Sequence, residues 1–446
     1  MDENKISTLP HWPLLAAFCS LLGAALFAFL WGHPTGAKRL PLPPQPKGNI
    51  ILGNLSEVIA ASKESIQHLL MHRWAREHGE VFRVRLGPVT EYLLNSDRAV
   101  KEIMDRSSAV SSERPRWIVS NELICNQLNV LLLHGSDPRW KTQRRVINTY
   151  LTSVPRADAG LPNGLAQILG TIPGMHMVDI FTWLNHPPLS LKPWERDARQ
   201  RFQRDMKWCL ARLQKLKDPA FAGEYMADAF LPSVLRAPDC GGLDSEAEAA
   251  YLALQLIIGA ADTSQISTWS FLEAMLQYPD VQRKTRAEIE AVVGDRLPEF
   301  ADLERIPYVR AISHDPKRHD DPDHFWPERY ADDHTTSINS PDVTKRDHFA
   351  FGAGRRVCPG YHVAERSLAM AVMRILWACE IKWAGGTRQP VDPLTYTRRS
   401  EMPGNPSSRL PVTLRVLSQE KADIINRTFE ALQRERAPIA SLSLLN

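Results

Sequence analysis

A mainly helical α+β domain behind an N-terminal membrane anchor is the fold class this sequence predicts. Three observations predict it. Pro13 to Trp31 is almost wholly apolar, and its nineteen residues would span about 28 Å as a helix, close to the hydrocarbon thickness of a bilayer. Leu252 to Tyr278 keeps its apolar residues in helical phase over about seven turns. Glu80 to Leu86 alternates in the manner of a strand, and Val89 to Asn95 can pair with it across the Gly87-Pro88 turn.

Taken in chain order, residues 1–12 form a short lumenal end and residues 13–31 the anchor. Lys5 is the only base before the apolar run, with Asp2 and Glu3 beside it, while Lys38 and Arg39 follow it. A cleaved signal peptide would carry a basic start and a small-residue cleavage site. The basic residues here lie after the run, which favours an uncleaved anchor with everything beyond residue 31 in the cytosol. Trp12 and Trp31 stand where interfacial aromatics belong. Residues 32–48 form a hinge whose core is Leu40-Pro41-Leu42-Pro43-Pro44-Gln45-Pro46, a run that stiffens into polyproline geometry. The remainder, 49–446, reads as one domain. Within it Ser65 to His78 and Asp280 to Val293 are further helices, the second capped by Asp280 and stopped by Gly294.

Composition excludes several function classes. The 54 basic and 51 acidic residues leave a net charge of +3, which gives no argument for nucleic acid. Six cysteines, Cys19, Cys125, Cys209, Cys240, Cys358 and Cys379, show no C-x-x-C pair and no regular spacing, against a disulfide framework or a zinc site. Asn54-Leu55-Ser56 and Asn426-Arg427-Thr428 match glycosylation sequons that would go unused on the cytosolic side. His314, His319, His324 and His334 are irregularly spaced in a loop-like segment, which reads as solvated histidine.

The chemistry concentrates in Phe351-Gly352-Ala353-Gly354-Arg355-Arg356-Val357-Cys358-Pro359-Gly360, followed by a helical pattern from Tyr361 to about Trp377. Glycines let backbone approach a flat object closely. A cysteine just before a helix start is biased toward thiolate, and Arg356 adds positive charge beside it and could pair with a carboxylate. A thiolate offered this way can ligate haem iron and push electron density onto it.

Phe351, Gly354, Arg356, Cys358 and Gly360 resemble the haem-binding signature Phe-x-x-Gly-x-Arg-x-Cys-x-Gly of the cytochrome P-450 monooxygenases. Other segments resemble the same family in the same order. Gly259-Ala260-Ala261-Asp262-Thr263-Ser264 is similar to its oxygen-activation motif. Small residues there would leave room over a haem, and an acid beside an alcohol can bend the helix and relay protons. Trp140-Lys141-Thr142-Gln143-Arg144 looks like its Trp-x-x-x-Arg, which one helical turn puts on one face to meet haem propionates. Phe325-Trp326-Pro327-Glu328-Arg329-Tyr330 resembles the segment before the haem loop, most like that of fungal microsomal members.

The resemblance implies a P-450-like fold with haem b on Cys358. Phe351, Gly354 and Gly360 would shape its loop. Arg356, Trp140 and Arg144 would position the haem, and Asp262 and Thr263 would handle oxygen and protons. It implies insertion of one oxygen atom from O₂ into an apolar small molecule, with electrons from an NADPH-dependent flavoprotein reductase. It also implies a single-pass place in the endoplasmic reticulum membrane, in contact with membrane lipid, and a role in fungal secondary metabolism. Candidate pocket positions are Val110 to Leu133 and Leu256 to Ala261.

The sequence departs from the family at two places. The family's Glu-x-x-Arg helix is missing. Ile306 to Ile312 reads like its approach, yet Ser313-His314-Asp315-Pro316 follow at once, an omission on the order of 40 residues. The stretch after Arg144 is also short, running through Pro155, Gly160, Pro162, Pro173 and Gly174 toward Val178. Arg329 would lose its ion-triad partners, a loss of roughly 3–5 kcal/mol for a buried network. A wrongly spliced or mispredicted gene and a genuinely shortened chain both fit. A non-catalytic membrane-tethered remnant is therefore the reading that competes with the monooxygenase.

Overall fold

The computed structural model describes residue 20 and residues 41–64, 66–151, 176–188, 192–218, 229–306, 349–386 and 411–440. The chain divides into two units, Met1–Pro44 and Gln45–Asn446. Ser20 apart, the helices and strands of the described residues belong to the second unit. Pro13–Trp31 lies outside the described residues, Ser20 again apart, and so does the junction at 312/313 with Arg329 and the four histidines. Among the described residues no helix is long and apolar enough to cross a membrane.

Helices dominate. The main ones are α1 (Leu55–Lys63), α2 (Gln67–His78), α3 (Pro138–Tyr150), α4 (Pro193–Leu216), α5 (Phe230–Arg236), α6 (Glu246–Gln277), α7 (Pro279–Val293), α8 (Tyr361–Ala378) and α9 (Gln419–Ala440). Two antiparallel pairs supply the β structure among the described residues. β1 (Val81–Leu86) pairs with β2 (Val89–Leu94), and β3 (Cys379–Trp383) pairs with β4 (Val412–Val416). The first is the hairpin that the alternation and the Gly87-Pro88 turn predict. Its β1 turns Phe82 and Val84 into a core with Val58, Ala61, Leu70 and Trp74 of α1 and α2.

The long helix begins earlier than its apolar pattern. Ser245 caps α6 by accepting the Glu248 N–H at 3.1 Å, which adds a polar first turn before Leu252. Asp280 does not cap α7. The helix starts at Pro279, where the missing N–H costs nothing, and Asp280 in the first turn pairs with Arg283 instead. Gly294 does end α7, with φ at 62°.

α7, α8, the second half of α6 and β3 bury Met275, Leu276, Ile289, Val293, Met373, Leu376, Trp377 and Ile381 together. Inside this core Gln282 donates to the Ile381 carbonyl (3.1 Å) and accepts the Ile381 N–H (2.8 Å). Arg286 donates to Leu376 O and Cys379 O. Two side chains of α7 thus satisfy the end of α8 and the start of β3, where buried backbone would otherwise go unpaired.

After α7 a short 3₁₀ helix, Phe300–Arg305, opens with a capping box. Asp302, 3% exposed, accepts the Glu299 N–H and two bonds from Arg296. Arg296 holds the Asp302 carboxyl below the usual carboxylate range. A depressed carboxylate stabilises the fold above its unfolded-state pKa, near 3.9, and that contribution is lost as pH falls through the lower folded-state value. Asp302→Asn is therefore expected to lower Tm at pH 7, with the gap to the unmodified protein closing as pH falls below the unfolded-state value and through the lower folded-state one. A pH-independent gap in thermal unfolding would show that the ion pair is not its source.

Candidate active site

Three elements meet around the cysteine loop. α3 begins with Pro138 in its first turn, capped by Asp137, whose side chain accepts the Arg139 N–H at 2.9 Å. Its inner stripe is Trp140, Gln143, Val146 and Ile147, all buried. Gln143 donates to Leu128 O (3.2 Å) and to Glu248 of α6 (2.7 Å), fixing α3 on α6. Trp140, Val146, Ile147 and Leu151 then share a core with Leu252, against which Leu256 of α6 and Val363 of α8 pack. The start of α8, and with it Cys358, is brought to α3 and α6 by this cluster.

The loop is held by its backbone. The Cys358 N–H donates to Phe351 O at 2.9 Å, closing the turn. Gly352 and Gly354 have φ of 77° and 65°, the left-handed region that suits glycine. The Gly354 N–H donates to Asp105 Oδ1 at 2.8 Å. The Phe351 ring lies 6.3 Å from that of Tyr361. Gly360 is the residue from which α8 starts, and its N–H reaches the Cys358 sulfur. His362 in the first turn lies 2.8 Å from Leu151 O through Nε2.

Burial pushes the Cys358 thiol up, while the Gly360 N–H and the Arg144 guanidinium pull it down. The Gly360 N–H at the helix start pulls as the sequence implies, but burial outweighs it and the thiol ends above its ordinary value. The acting cation, however, is Arg144 from α3 rather than the neighbouring Arg356. Arg356 points away, donating to the carbonyls of Ser112 (2.9 Å), Leu133 (2.8 Å) and Val130 (3.4 Å). Its guanidinium lies 4.3 Å over the Trp140 ring, a cation–π arrangement. The carboxylate partner that the sequence suggested for it is replaced by these carbonyls. Burial, with Arg114 adding to it, brings Arg356 down to about 10.

Arg114 is the residue that sequence reading missed. Its side chain reaches solvent, donates to Leu131 O at 3.1 Å, and is lowered by the protein packed around it. It stands inside Glu113–Arg116, a Glu-x-x-Arg match that carries no helix of the expected kind. None of Arg114, Arg144 and Arg356 meets a carboxylate at ion-pair distance among the described residues. Glu113, the nearest acid, accepts from the Gly135 N–H (2.7 Å) and lies 2.6 Å from His134 Nδ1.

Asp262 lies on α6, and its side chain is outside what is described. Thr263 is exposed, and its hydroxyl donates to Gly259 O at 2.6 Å. Ser267 and Thr268 repeat that bond to their own i−4 carbonyls, a pattern that bends helices. Thr263 stands seven residues beyond Leu256, about two turns or 10 Å along α6. The site thus joins Cys358, Trp140, Arg144 and Arg356 closely, with Thr263 farther along α6.

Do these residues fit a haem? The Trp140 Nε1 donor is buried and has no hydrogen-bond partner among the described residues. The Arg356 guanidinium lies over its ring, Arg114 and Arg144 are close enough to Arg356 to lower it, and the Cys358 thiol faces Arg144. Two propionates and a ferric iron are what that set of donors lacks, so it fits.

The family model for cytochrome P450s matches residues 43–168, 175–312 and 309–400. The chain belongs to the cytochrome P-450 family. A cytochrome P-450 monooxygenase of Gibberella fujikuroi is 44% identical, covering 89% of this chain and 92% of the relative. The cytochrome P-450 monooxygenase virE of Hypocrea virens is 27% identical over 82% of this chain and 83% of its own. A zebra fish cytochrome P-450 structure, described with abiraterone, shares the fold at a TM-score of 0.52 and 17% identity, over 73% of this chain and 95% of that one. This P-450 is an oxidoreductase, a haem-dependent monooxygenase, and its haem is held by a cysteine thiolate. These relatives favour the enzyme over the non-catalytic remnant.

The comparisons also bear on the missing segment. Two stretches of the family match rejoin at residues 309–312, where the sequence lacks its Glu-x-x-Arg helix. The alignment with the Gibberella protein runs over 505 positions, more than the 446 residues of this chain. The relative therefore has residues with no counterpart here.

Proposed function

We propose that Cys358 is the axial ligand of a haem b, and that Trp140, Arg144 and Arg356 seat it, with Arg114 beside them. The observation that carries this is the buried, unpartnered Trp140 Nε1 among guanidiniums that lack carboxylates. Arg144 serves twice in this reading, toward a propionate and toward the Cys358 thiolate. Arg356 ties the loop to the carbonyls of Ser112, Val130 and Leu133 while it stacks on Trp140. When bound, the haem supplies reductive activation of O₂ and delivery of one oxygen atom to substrate. The Thr263 hydroxyl, which donates to Gly259 O, would hold a proton beside the substrate, with Asp262 as its neighbour on the helix.

The substrate class is an apolar small molecule, in keeping with the apolar side chains clustered between Ile118 and Leu133 and along α6. Secondary metabolism is the setting that the fungal relatives support. An NADPH-dependent flavoprotein reductase would supply electrons. Residues 13–31 would anchor the enzyme in the endoplasmic reticulum membrane behind a 32–48 hinge, with 49–446 in the cytosol. Ile50 and Ile51, at 77% and 61% exposed, support lipid contact close to that hinge.

The test is the carbon-monoxide difference spectrum of the reduced 446-residue chain in membranes, followed by NADPH-dependent turnover with a reductase. A thiolate-haem band is expected. Its absence would return this chain to the remnant reading.

A further inference from the structure

α4 turns one stripe inward: Trp194, Ala198, Arg201, Asp205, Cys209 and Leu213, at helical steps of three and four. Most of what packs there is apolar, including Ile118, Leu123, Tyr251 and Leu254. Arg201 and Asp205 are out of place in such a setting. Their side chains are 14% and 13% exposed, and Arg201 Nε stands 3.8 Å from Asp205 Oδ2, beyond hydrogen-bond length. Arg201 Nε is fully buried and has no hydrogen-bond partner among the described residues. Burial lowers Arg201 and raises Asp205, the directions expected of a pair whose attraction does not make good its lost solvation.

Nearby groups are already committed. The Cys125 sulfur receives Asn129 Nδ2 at 3.6 Å and bonds with the Tyr251 hydroxyl. The Tyr251 ring lies 5.9 Å from that of Phe202, the residue after Arg201. This contact sets Arg201 level with Tyr251 on α6. From there α6 runs toward the site: Ile258 packs on the same cluster, and Gly259-Ala260-Ala261 follow directly. Tyr251 to Gly259 is eight residues, about 12 Å of helix.

We propose that the Arg201 Nε–H docks a neutral carbonyl oxygen of the substrate, whose apolar remainder lies along α6 toward Gly259. This rests on the haem-monooxygenase reading, in which oxidation falls on the part of the substrate nearest Gly259, away from the carbonyl. The docked group is neutral. Asp205 already supplies the counter-charge, so a carboxylate would meet repulsion where a ketone or ester oxygen would not. Arg201 is a specificity residue, with no part in the oxygen chemistry.

The experiment uses the haem-loaded full chain in membranes and reads substrate-induced spin-state spectra. The probes are dodecan-2-one, dodecane and dodecanoate. The unmodified chain is expected to bind the ketone about tenfold more tightly than the alkane, the worth of a hydrogen bond from a charged donor. Arg201→Met should abolish that preference while keeping dodecane affinity and the carbon-monoxide band. Arg201→Lys should keep part of it, and Asp205→Asn should shift preference toward dodecanoate. Should Arg201→Met lose its haem, Arg201→Gln carries the same comparison.

Equal binding of ketone and alkane by the unmodified chain overturns the proposal. So does a ketone preference that survives the loss of Arg201, which would mean that buried water satisfies the N–H. No carbon-monoxide band in the unmodified chain overturns the haem reading, and this proposal with it. A band without ketone preference overturns this proposal alone.

Discussion

Cys358→Ala is expected to lose both the thiolate-haem carbon-monoxide band and all turnover above background, while the folded helical content stays near that of the unmodified chain. The sulfur makes few structural contacts to lose. Its backbone N–H closes the loop on Phe351 O, and alanine keeps that bond. What alanine removes is the ligand that would donate electron density to iron. Cys358→His separates two roles. An imidazole can hold haem, so pigment is expected to remain with a displaced band, yet turnover stays absent because the thiolate push is gone. The other described thiols give the control. Cys209 is 2% exposed, and its thiol is pushed up to about 12 by burial. Cys125 is likewise shut inside the apolar core, at 1% exposed, whereas Cys358 is half-buried and faces the Gly360 N–H and Arg144. Cys209→Ala should cost stability, of the order of 1–2 kcal/mol for a small buried side chain, and leave the band in place. A Cys358→Ala protein that still shows the thiolate-haem band would move the ligand elsewhere.

How far this site was legible in the sequence depended on how local each relation is. The start of α8 at Tyr361, the hairpin across Gly87-Pro88 and the stop at Gly294 all follow from neighbours in sequence. Periodicity and turn chemistry carry such relations. The placement of Trp140 and Arg144 on one helical face followed from their spacing as well. Arg356 was harder. It adjoins Cys358 by two positions, so proximity in sequence suggested proximity of charge. The short 3₁₀ turn at Gly354–Arg356 sends its side chain instead to Ser112, Val130 and Leu133, more than 200 positions away in the chain. The cation beside the sulfur, Arg144, comes from equally far. Arg114 was invisible for the same reason, since its company exists only once the segment after β2 folds against the cysteine loop. Asp280 failed on a local competition, because Pro279 fits a helix start better than Asp280 does when the two adjoin.

Gly354→Ala should be the most damaging single methyl addition in the cysteine loop, and Gly352→Ala the measure of why. Both residues sit in the left-handed region, at 65° and 77°. Alanine there costs about 1–2 kcal/mol in either place. The surroundings differ. A Cβ at Gly352 would meet nothing within 4 Å, whereas one at Gly354 would fall 2.0 Å from the Met104 carbonyl oxygen and 2.9 Å from its carbon. That is backbone, in the turn Lys101–Arg106, so no side-chain rotation can relieve it. The loop must move away from this turn, and moving it breaks the Gly354 N–H bond to Asp105 at 2.8 Å. Two residues downstream Arg356 would be drawn off its three carbonyls and off Trp140, and Cys358 would leave Arg144. Gly352→Ala is therefore expected to lower Tm by only about 1–3 °C, the scale of a 1–2 kcal/mol loss in a domain this large, and keep haem stoichiometry. Gly354→Ala should lose most bound haem, read as pigment per protein after expression with excess haem precursor. If the two variants retain haem equally, the close contact with Met104 is not what sets the loop, and backbone strain alone governs both glycines.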